Sequence, residues 1–334
     1  MPVNIYHDIS LRDRHTFHMD VKAARLIEYD TQDELLEILP ILKEERVLHI
    51  GAGSNLLFTR DFSGTLLHSR INSVEIEREG GDVMVRVGSG VIWDKLCEQL
   101  ALRNIRGAEN LSYIPGECGA AAVQNIGAYG MEVCRLVESV ETIEVISGAK
   151  RVFGNEECAY GYRYSIFKGE LKGRYIVTAV NLRLRQDQPF NLEYGGLKEL
   201  RGRSNLTVGD VRDEVVSIRR SKLPETDNIG SAGSFFKNPV VSKKKFEDII
   251  KEYPEVPHYI LPDNMVKIPC AWMIDTLGWK GVKRGGAGVY EKQPLILVNT
   301  GRALPEDIIS LAADISRSIK EKFDIEIHPE VNYI

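Results

Sequence analysis

The run Gly230-Ser-Ala-Gly-Ser-Phe-Phe-Lys-Asn-Pro239 constrains this chain more than any other. Two glycines and small neighbours surround one hydroxyl, Ser234, and a cation and an amide follow in Lys237 and Asn238. Glycine permits backbone angles that other residues resist, and it lets a ligand approach the chain closely. A tight turn whose Phe235 and Phe236 fill core would account for the run by itself. Two further stretches, Gln124-Asn-Ile-Gly-Ala-Tyr-Gly130 and Gly161-Tyr-Arg-Tyr-Ser165, tip the balance toward a binding site.

At 334 residues the chain has room for about two or three domains. A hydrophobic fraction of 43% and a charged fraction of 27% are those of a soluble globular protein. No apolar run reaches the roughly 18 residues that span a bilayer. The first residues lack the apolar centre of a signal peptide, so a cytoplasmic protein without membrane attachment is expected. Net charge is −5 with acids and bases interspersed, which leaves no broad footprint for nucleic acid. The basic cluster Lys243-Lys-Lys245 reads as a solvated face. Five cysteines, odd in number and never spaced C-x-x-C, point to reduced thiols and to no metal site.

Periodicity supplies the elements. Thr31-Gln-Asp-Glu34 is a capping box opening a helix that carries Leu35, Leu36, Leu39 and Leu42. Val47–Ile50 reads as a strand, as does the alternation of Val83, Val85 and Val87. Trp93, Leu96, Cys97 and Leu100 have helical spacing, and strands return at Val140–Ile146 and Tyr175–Leu184. Helices follow at Thr207–Arg220, Ser242–Tyr253 and Ala271–Leu277, and from Pro305 to Phe323. Asp324–His328 alternates like a strand. The fold class is α+β, strand-rich in its first half and helix-rich in its second.

Several segments carry candidate chemistry. Gly51-Ala-Gly-Ser-Asn55 directly follows a strand, where close backbone N–H groups can hold an anion. It is no dinucleotide fingerprint, since Leu56 stands at the third glycine and Arg70 where an acid belongs. A turn without a ligand remains open for it. Ile114–Gly130, with Gly116, Gly119 and Ala120–Ala122, forms a second cradle whose backbone must lie against something flat or bulky. Arg163 sets a planar fork among tyrosines, suited to a carboxylate or phosphate. Pro329 holds the chain extended beside Glu330, which could aim that carboxylate inward.

Taken in order, these segments resemble the UDP-N-acetylenolpyruvoylglucosamine reductase family. The likeness runs through His15-Thr-Phe17, Gly51–Leu57, Ile114–Gly130, Gly161–Lys168, Tyr194-Gly195, Lys222-Leu-Pro224, Gly230–Pro239, Lys280-Gly281 and His328–Val331. Tyr194 and the Tyr-Arg-Tyr-Ser loop resemble the longer family subtype. The resemblance implies a two-part FAD-binding domain of the vanillyl-alcohol-oxidase-like type and a C-terminal α+β substrate-binding domain. On that basis residues 1–72, joined by 324–334, form the first flavin subdomain and 73–204 the second. Residues 205–323 carry the substrate.

The same resemblance implies bound FAD, NADPH as reductant and a UDP-sugar substrate whose enolpyruvyl group is reduced, in a monomeric enzyme. Ser234 would protonate the enolic carbon, Arg163 clamp the substrate carboxylate and Glu330 act across it as acid or hydrogen-bond donor. FAD would rest on Ile50, Gly51, Ala52, Gly53, Ser54, Asn55, Pro115, Gly116, Gly119, Asn125, Gly127, Ala128, Tyr129 and Arg219. Substrate would meet Tyr194, Lys222, Asn238, Tyr259, Lys280 and Gln293, with Lys222 on its diphosphate. Glu117 and Cys118 replace a small hydroxyl residue and an aliphatic one, and His18 a common glycine. A carboxylate repels a diphosphate, so Glu117 is expected to point outward and lend only its backbone. Two alternatives are an oxidase of a small hydroxy acid on the same fold and a non-catalytic ligand-binding regulator. Lys222 and the Ser234 run speak against the oxidase, because a small acid needs no diphosphate grip.

Overall fold

The computed structural model describes residues 3–43 and 45–334. The chain divides into two compact units, one from the segments up to Ile9, Ala23–Ala52 and Ser63–Arg219, the other from Ser10–Lys22, Gly53–Phe62 and Arg220–Ile334.

The first unit contains two large sheets and a short two-stranded hairpin. Strands Asn4–Ser10, Lys22–Tyr29, Phe62–Ser69 and Val47–Ile50 lie side by side in that order, the last pair parallel. An antiparallel sheet orders Lys150–Gly154, Val137–Glu144, Tyr175–Arg185, Asp82–Gly88 and Val74–Glu79. The alternation around Val83, Val85 and Val87 has its physical cause here: all three are buried beside Trp93, Leu96, Leu100, Leu182 and Leu184. Burying each such side chain contributes about 1.5–3 kcal/mol. The expected capping box is present in altered form. Thr31 Oγ1 accepts from Glu34 N at 3.1 Å, and Glu34 reaches back to Asp30 N, one residue before the cap. The expected Thr207–Arg220 helix runs from Val208 to Lys222 and buries Val208, Val211 and Val215, with Ile218 half-buried.

The second unit pairs Gly230–Ser234, Ile296–Asn299, Ala287–Val289 and Lys283–Arg284 antiparallel. A smaller sheet joins Val240–Ser242, Met265–Lys267 and Tyr259–Leu261. Helix Pro305–Phe323 buries Ile308, Leu311, Ala312, Ile315, Ile319 and Phe323, the stripe its spacing predicts. The alternation of 324–328 does not produce a strand. Ile325 and Ile327 are buried between exposed neighbours, yet the segment is not part of any ladder. Alternation reports one buried side; pairing needs a partner strand, which sequence period alone does not supply.

Two imidazoles, one buried and one half-buried, make the fold sensitive to acid. Burial lowers His15 to about 4 and His49 to about 3, against an ordinary 6.5. The unfolded chain binds these protons from about pH 6.5 downward while the folded chain refuses them, so stability falls as pH drops. Between pH 6.5 and 4.5, His49 alone should remove roughly 2 kcal/mol. Urea unfolding of wild type and His49→Gln at both pH values measures this. The variant should lose visibly less stability over that interval; an equal loss would refute the assignment.

Candidate active site

In the first unit, Gly161 and Tyr164 exchange backbone hydrogen bonds at 3.1 Å each, closing a two-residue turn on Tyr162 and Arg163. Arg163 takes a left-handed φ of 55° there. Its Nη2 donates to Gly127 O at 2.8 Å and its Nη1 to Asn125 O at 3.4 Å, so the guanidinium lies against the second cradle. Asn125 is fully buried at a left-handed φ of 47° and works as a joint. Its Nδ2 donates to Gly161 O at 2.8 Å, and its Oδ1 accepts from Cys134 N at 3.1 Å. The carboxamide thereby ties the cradle to the Arg163 turn.

Tyr129, also left-handed at φ 46°, meets Tyr194 edge-on at 6.0 Å. Its hydroxyl pairs with the half-buried Arg219, whose guanidinium desolvation pulls below its ordinary value. Arg219 Nε donates to Tyr113 O at 3.0 Å, and Tyr113 N donates to Asp94 Oδ1 at 2.5 Å. Asp94 is gripped by both ends of the Arg212 fork at 2.6 and 3.1 Å. That chain of contacts fixes Tyr113 at φ 58°, just ahead of Pro115 and Gly116. Asp94 and Arg212 lie 118 positions apart, and no sequence signal singled them out.

Several of the residues expected to hold FAD in this unit carry little or no side chain. Gly116 has φ 117°, closed to ordinary side chains, and Cys118–Gln124 starts immediately beyond. Trp93 N and Cys118 N bond across Glu117 to Gly116 O and Val91 O, which turns Glu117 N away from that pairing. A Cβ at Gly127 would lie 2.9 Å from Arg163 Nη1, so a side chain there would displace the guanidinium. Ala128 pairs with Met131 in the short hairpin that follows. Gly119 serves packing instead: its Cβ would meet Ser89 at 2.7 Å. Ile50 ends the parallel strand pair, Gly51 follows it, and Ala52 closes the unit's segment.

One expectation fails here. Glu117 does not point outward; it is 5% exposed. Its Oε1 meets His68 Nε2 at 2.8 Å, and His68 Nδ1 lies 3.2 Å from Glu28 Oε1. Burial lowers the His68 pKa, but the two carboxylates outweigh it and hold the imidazole above its ordinary value. The attraction of a partner 49 positions away decides the direction of Glu117, and no local rule contains it.

In the second unit, Ser234 is exposed at the end of its strand, one residue after Gly233 at φ 71°. The register breaks between Ser231 and Ser234, which re-aims the hydroxyl, and Phe235 N then donates to Leu295 O at 2.8 Å. Phe235 and Phe236 are buried core anchors, as the plain reading of the run expected. Glu330 comes alongside: its N–H donates to Phe235 O at 2.8 Å, and Lys237 N donates to His328 O at 3.0 Å. A bridge between Phe236 and Pro329 completes the pairing. Ser234 and Glu330 thus belong to adjoining backbone segments. Asn55 Nδ2 supports the second of these, donating to Glu330 O at 3.3 Å.

Asn238 Oδ1 accepts from Cys270 N at 2.9 Å at the start of helix Cys270–Thr276, which orients its carboxamide. Tyr259 is half exposed beneath Lys267, whose Nζ lies 5.3 Å from the ring centre. Gln293 caps the turn before Ile296–Asn299, the partner strand of Ser234. Lys222 is exposed at a helix end, and Lys280 is exposed 3.8 Å from Asp275. Neither makes a described contact with the Ser234–Glu330 pairing. Gly53 has φ 66°, and a Cβ there would lie 2.5 Å from that of His15. His18, at φ 53°, fills its glycine-like position by meeting Arg12 O at 2.8 Å and Thr226 O at 2.9 Å. Ser54 follows Gly53 within the same bend.

Comparison with known proteins bears on these units. A family model for the C-terminal domain of UDP-N-acetylenolpyruvoylglucosamine reductase matches residues 224–334, and one for an FAD binding domain matches 23–150. The reductase of Bacteroides fragilis is 47% identical over 328 residues, covering 97% of this chain and 98% of its own. That of Porphyromonas gingivalis is 43% identical over 337 residues, covering 99% and 100%. The crystal structure of the Thermus caldophilus reductase shares the fold, with a TM-score of 0.69 at 23% identity, covering 100% of this chain and 99% of that one. At such identity over whole chains, this protein belongs to the UDP-N-acetylenolpyruvoylglucosamine reductase family.

Proposed function

We propose that Arg163, Ser234 and Glu330 carry the chemistry of this reductase. The family reaction is NADPH-dependent, FAD-mediated reduction of the enolpyruvyl group of UDP-N-acetylglucosamine enolpyruvate, giving UDP-N-acetylmuramate for peptidoglycan synthesis. FAD, when bound, would supply the hydride chemistry that links NADPH to the terminal vinyl carbon. Negative charge then develops on the carbon bearing the carboxylate, and it needs donors placed where it forms.

Arg163 offers a planar fork to the substrate carboxylate. Ser234 gives its hydroxyl proton to the enolic carbon, and the Asn238 amide and Lys237 ammonium stabilise the alkoxide left behind. Glu330 serves as acid or hydrogen-bond donor across the substrate carboxylate, protonated or bridged, because two carboxylates cannot share one spot while both are charged. The observation that carries this reading is the backbone pairing of 328–330 with 235–237, which sets an exposed hydroxyl beside a carboxyl-bearing segment.

FAD is held by Ile50–Asn55, Pro115, Gly116, Gly119, Gly127–Tyr129 and Arg219, with Asn125 shaping the cradle. Tyr194, Lys222, Asn238, Tyr259, Lys280 and Gln293 receive the sugar nucleotide, Lys222 at its diphosphate. Residues 1–72 with 324–334 and residues 73–204 form the flavin-binding parts, and 205–323 the substrate domain. A cytoplasmic monomer that binds neither membrane nor nucleic acid belongs to this reading; the interspersed charge, net −5, speaks against a nucleic-acid face. Among the described residues no helix is long and apolar enough to cross a membrane.

Purified protein should be yellow. Without air, NADPH should bleach it, and the enolpyruvyl sugar nucleotide should restore the colour. Colour returning only with oxygen would assign an oxidase instead.

A further inference from the structure

The sequence expectation that Glu117 lends only backbone fails in a way that has chemical content. Its carboxylate is buried, and only one of its two oxygens has a protein partner. Oε1 is taken by His68. Oε2 faces Gly51, where an added methyl carbon would sit 3.0 Å away, and no donor among the described residues reaches it. The direction of the carboxylate is fixed from behind. His68 stands between Glu117 and Glu28, and Glu28 Oε2 in turn meets Arg70 Nη1 and Tyr6 OH at 3.4 Å each. Strands Lys22–Tyr29 and Phe62–Ser69 carry Glu28 and His68, so the support is part of a sheet.

Oε2 is not sealed from solvent, so a donor group of a ligand can reach it. Gly51 belongs to the proposed flavin cradle, and Glu117 sits between Gly116 and Gly119 of the other. A diphosphate only accepts hydrogen bonds, so this oxygen would repel it. The hydroxyls of a ribityl or ribose chain donate, as do the N–H groups of an isoalloxazine or adenine ring.

We propose that Glu117 is a cofactor-binding residue whose Oε2 accepts a hydrogen bond from an O–H or N–H group of the bound flavin dinucleotide. The Glu28–His68 pair aims it. This rests on the FAD reading above and adds to it a carboxylate contact in place of the small hydroxyl residue that the family resemblance led one to expect.

The test measures flavin release from the holoenzyme, followed by flavin fluorescence after dilution, for wild type, Glu117→Gln and Glu117→Ser. A hydrogen bond to a charged group is worth about 1.5–3 kcal/mol, so both variants should release FAD roughly 10- to 150-fold faster. Far-UV circular dichroism at saturating FAD should match wild type; Glu117→Ser carries the test should Glu117→Gln fail to fold. Repeating the measurement with FMN locates the donor. Faster release of both cofactors puts it on the ribityl-flavin half, and faster release of FAD alone puts it on the adenosine half. Unchanged release, or slower release because a repulsion has been removed, would overturn the proposal. A colourless wild type would overturn the cofactor reading itself, whereas a yellow wild type with indifferent variants defeats only the role of Glu117.

Discussion

Replacing Ser234 by alanine should leave bleaching of the flavin by NADPH nearly intact and slow the enolpyruvyl half-reaction by about 100- to 10,000-fold, the usual range for a lost general acid. The variant is a mild structural change. Ser234 is exposed at a strand end, and the two phenylalanines after it, not its hydroxyl, anchor the run in the core. Anaerobic stopped-flow absorbance separates the two halves. Equal damage to both, or less than a tenfold loss in the second, would remove the serine from its assigned role.

Arg163→Lys should lower kcat/KM for the enolpyruvyl substrate by roughly 10- to 150-fold, as expected for losing a hydrogen bond between charged partners. The reason is geometric. The guanidinium already spends donors on Gly127 O and Asn125 O, and a planar fork can do this while presenting further N–H groups. An ammonium on a flexible stem cannot hold that orientation. The left-handed turn at Arg163 is common to both residues, so the backbone strain is unchanged. Steady-state kinetics with varied substrate tests this, with NADPH bleaching as the internal control. A wild-type kcat/KM would dismiss the clamp.

Much of the fold is legible in the sequence because burial is periodic. The stripe from Ile308 to Phe323 and the valines of Asp82–Gly88 each report one buried face, and the structure buries those residues. The same logic misled at 324–328, where burial alternates without a paired strand. Ser234 and Arg163 drew attention because three glycine- and tyrosine-rich stretches occur together, whereas the role expected of Glu330 came only from the family resemblance. Polar contacts between distant positions were not. Glu117 turns inward because His68 attracts it, and Tyr113 is held by Asp94 and Arg219 at 19 and 106 positions' remove. Electrostatic partners of this kind leave no period and no local motif.

The second unit is assembled from segments far apart along the polymer. Leu56–Leu57 runs parallel to Asn332–Tyr333, and Thr59 bonds Ile334 across 275 positions. Closing such long loops is slow, because chain entropy is lost before any contact rewards it. On the ribosome, the early segments of this unit must wait for the last ones to emerge. Serine and glutamate would therefore reach their adjoining places in a late step of maturation, and a nascent chain would stay inert toward its substrate until then.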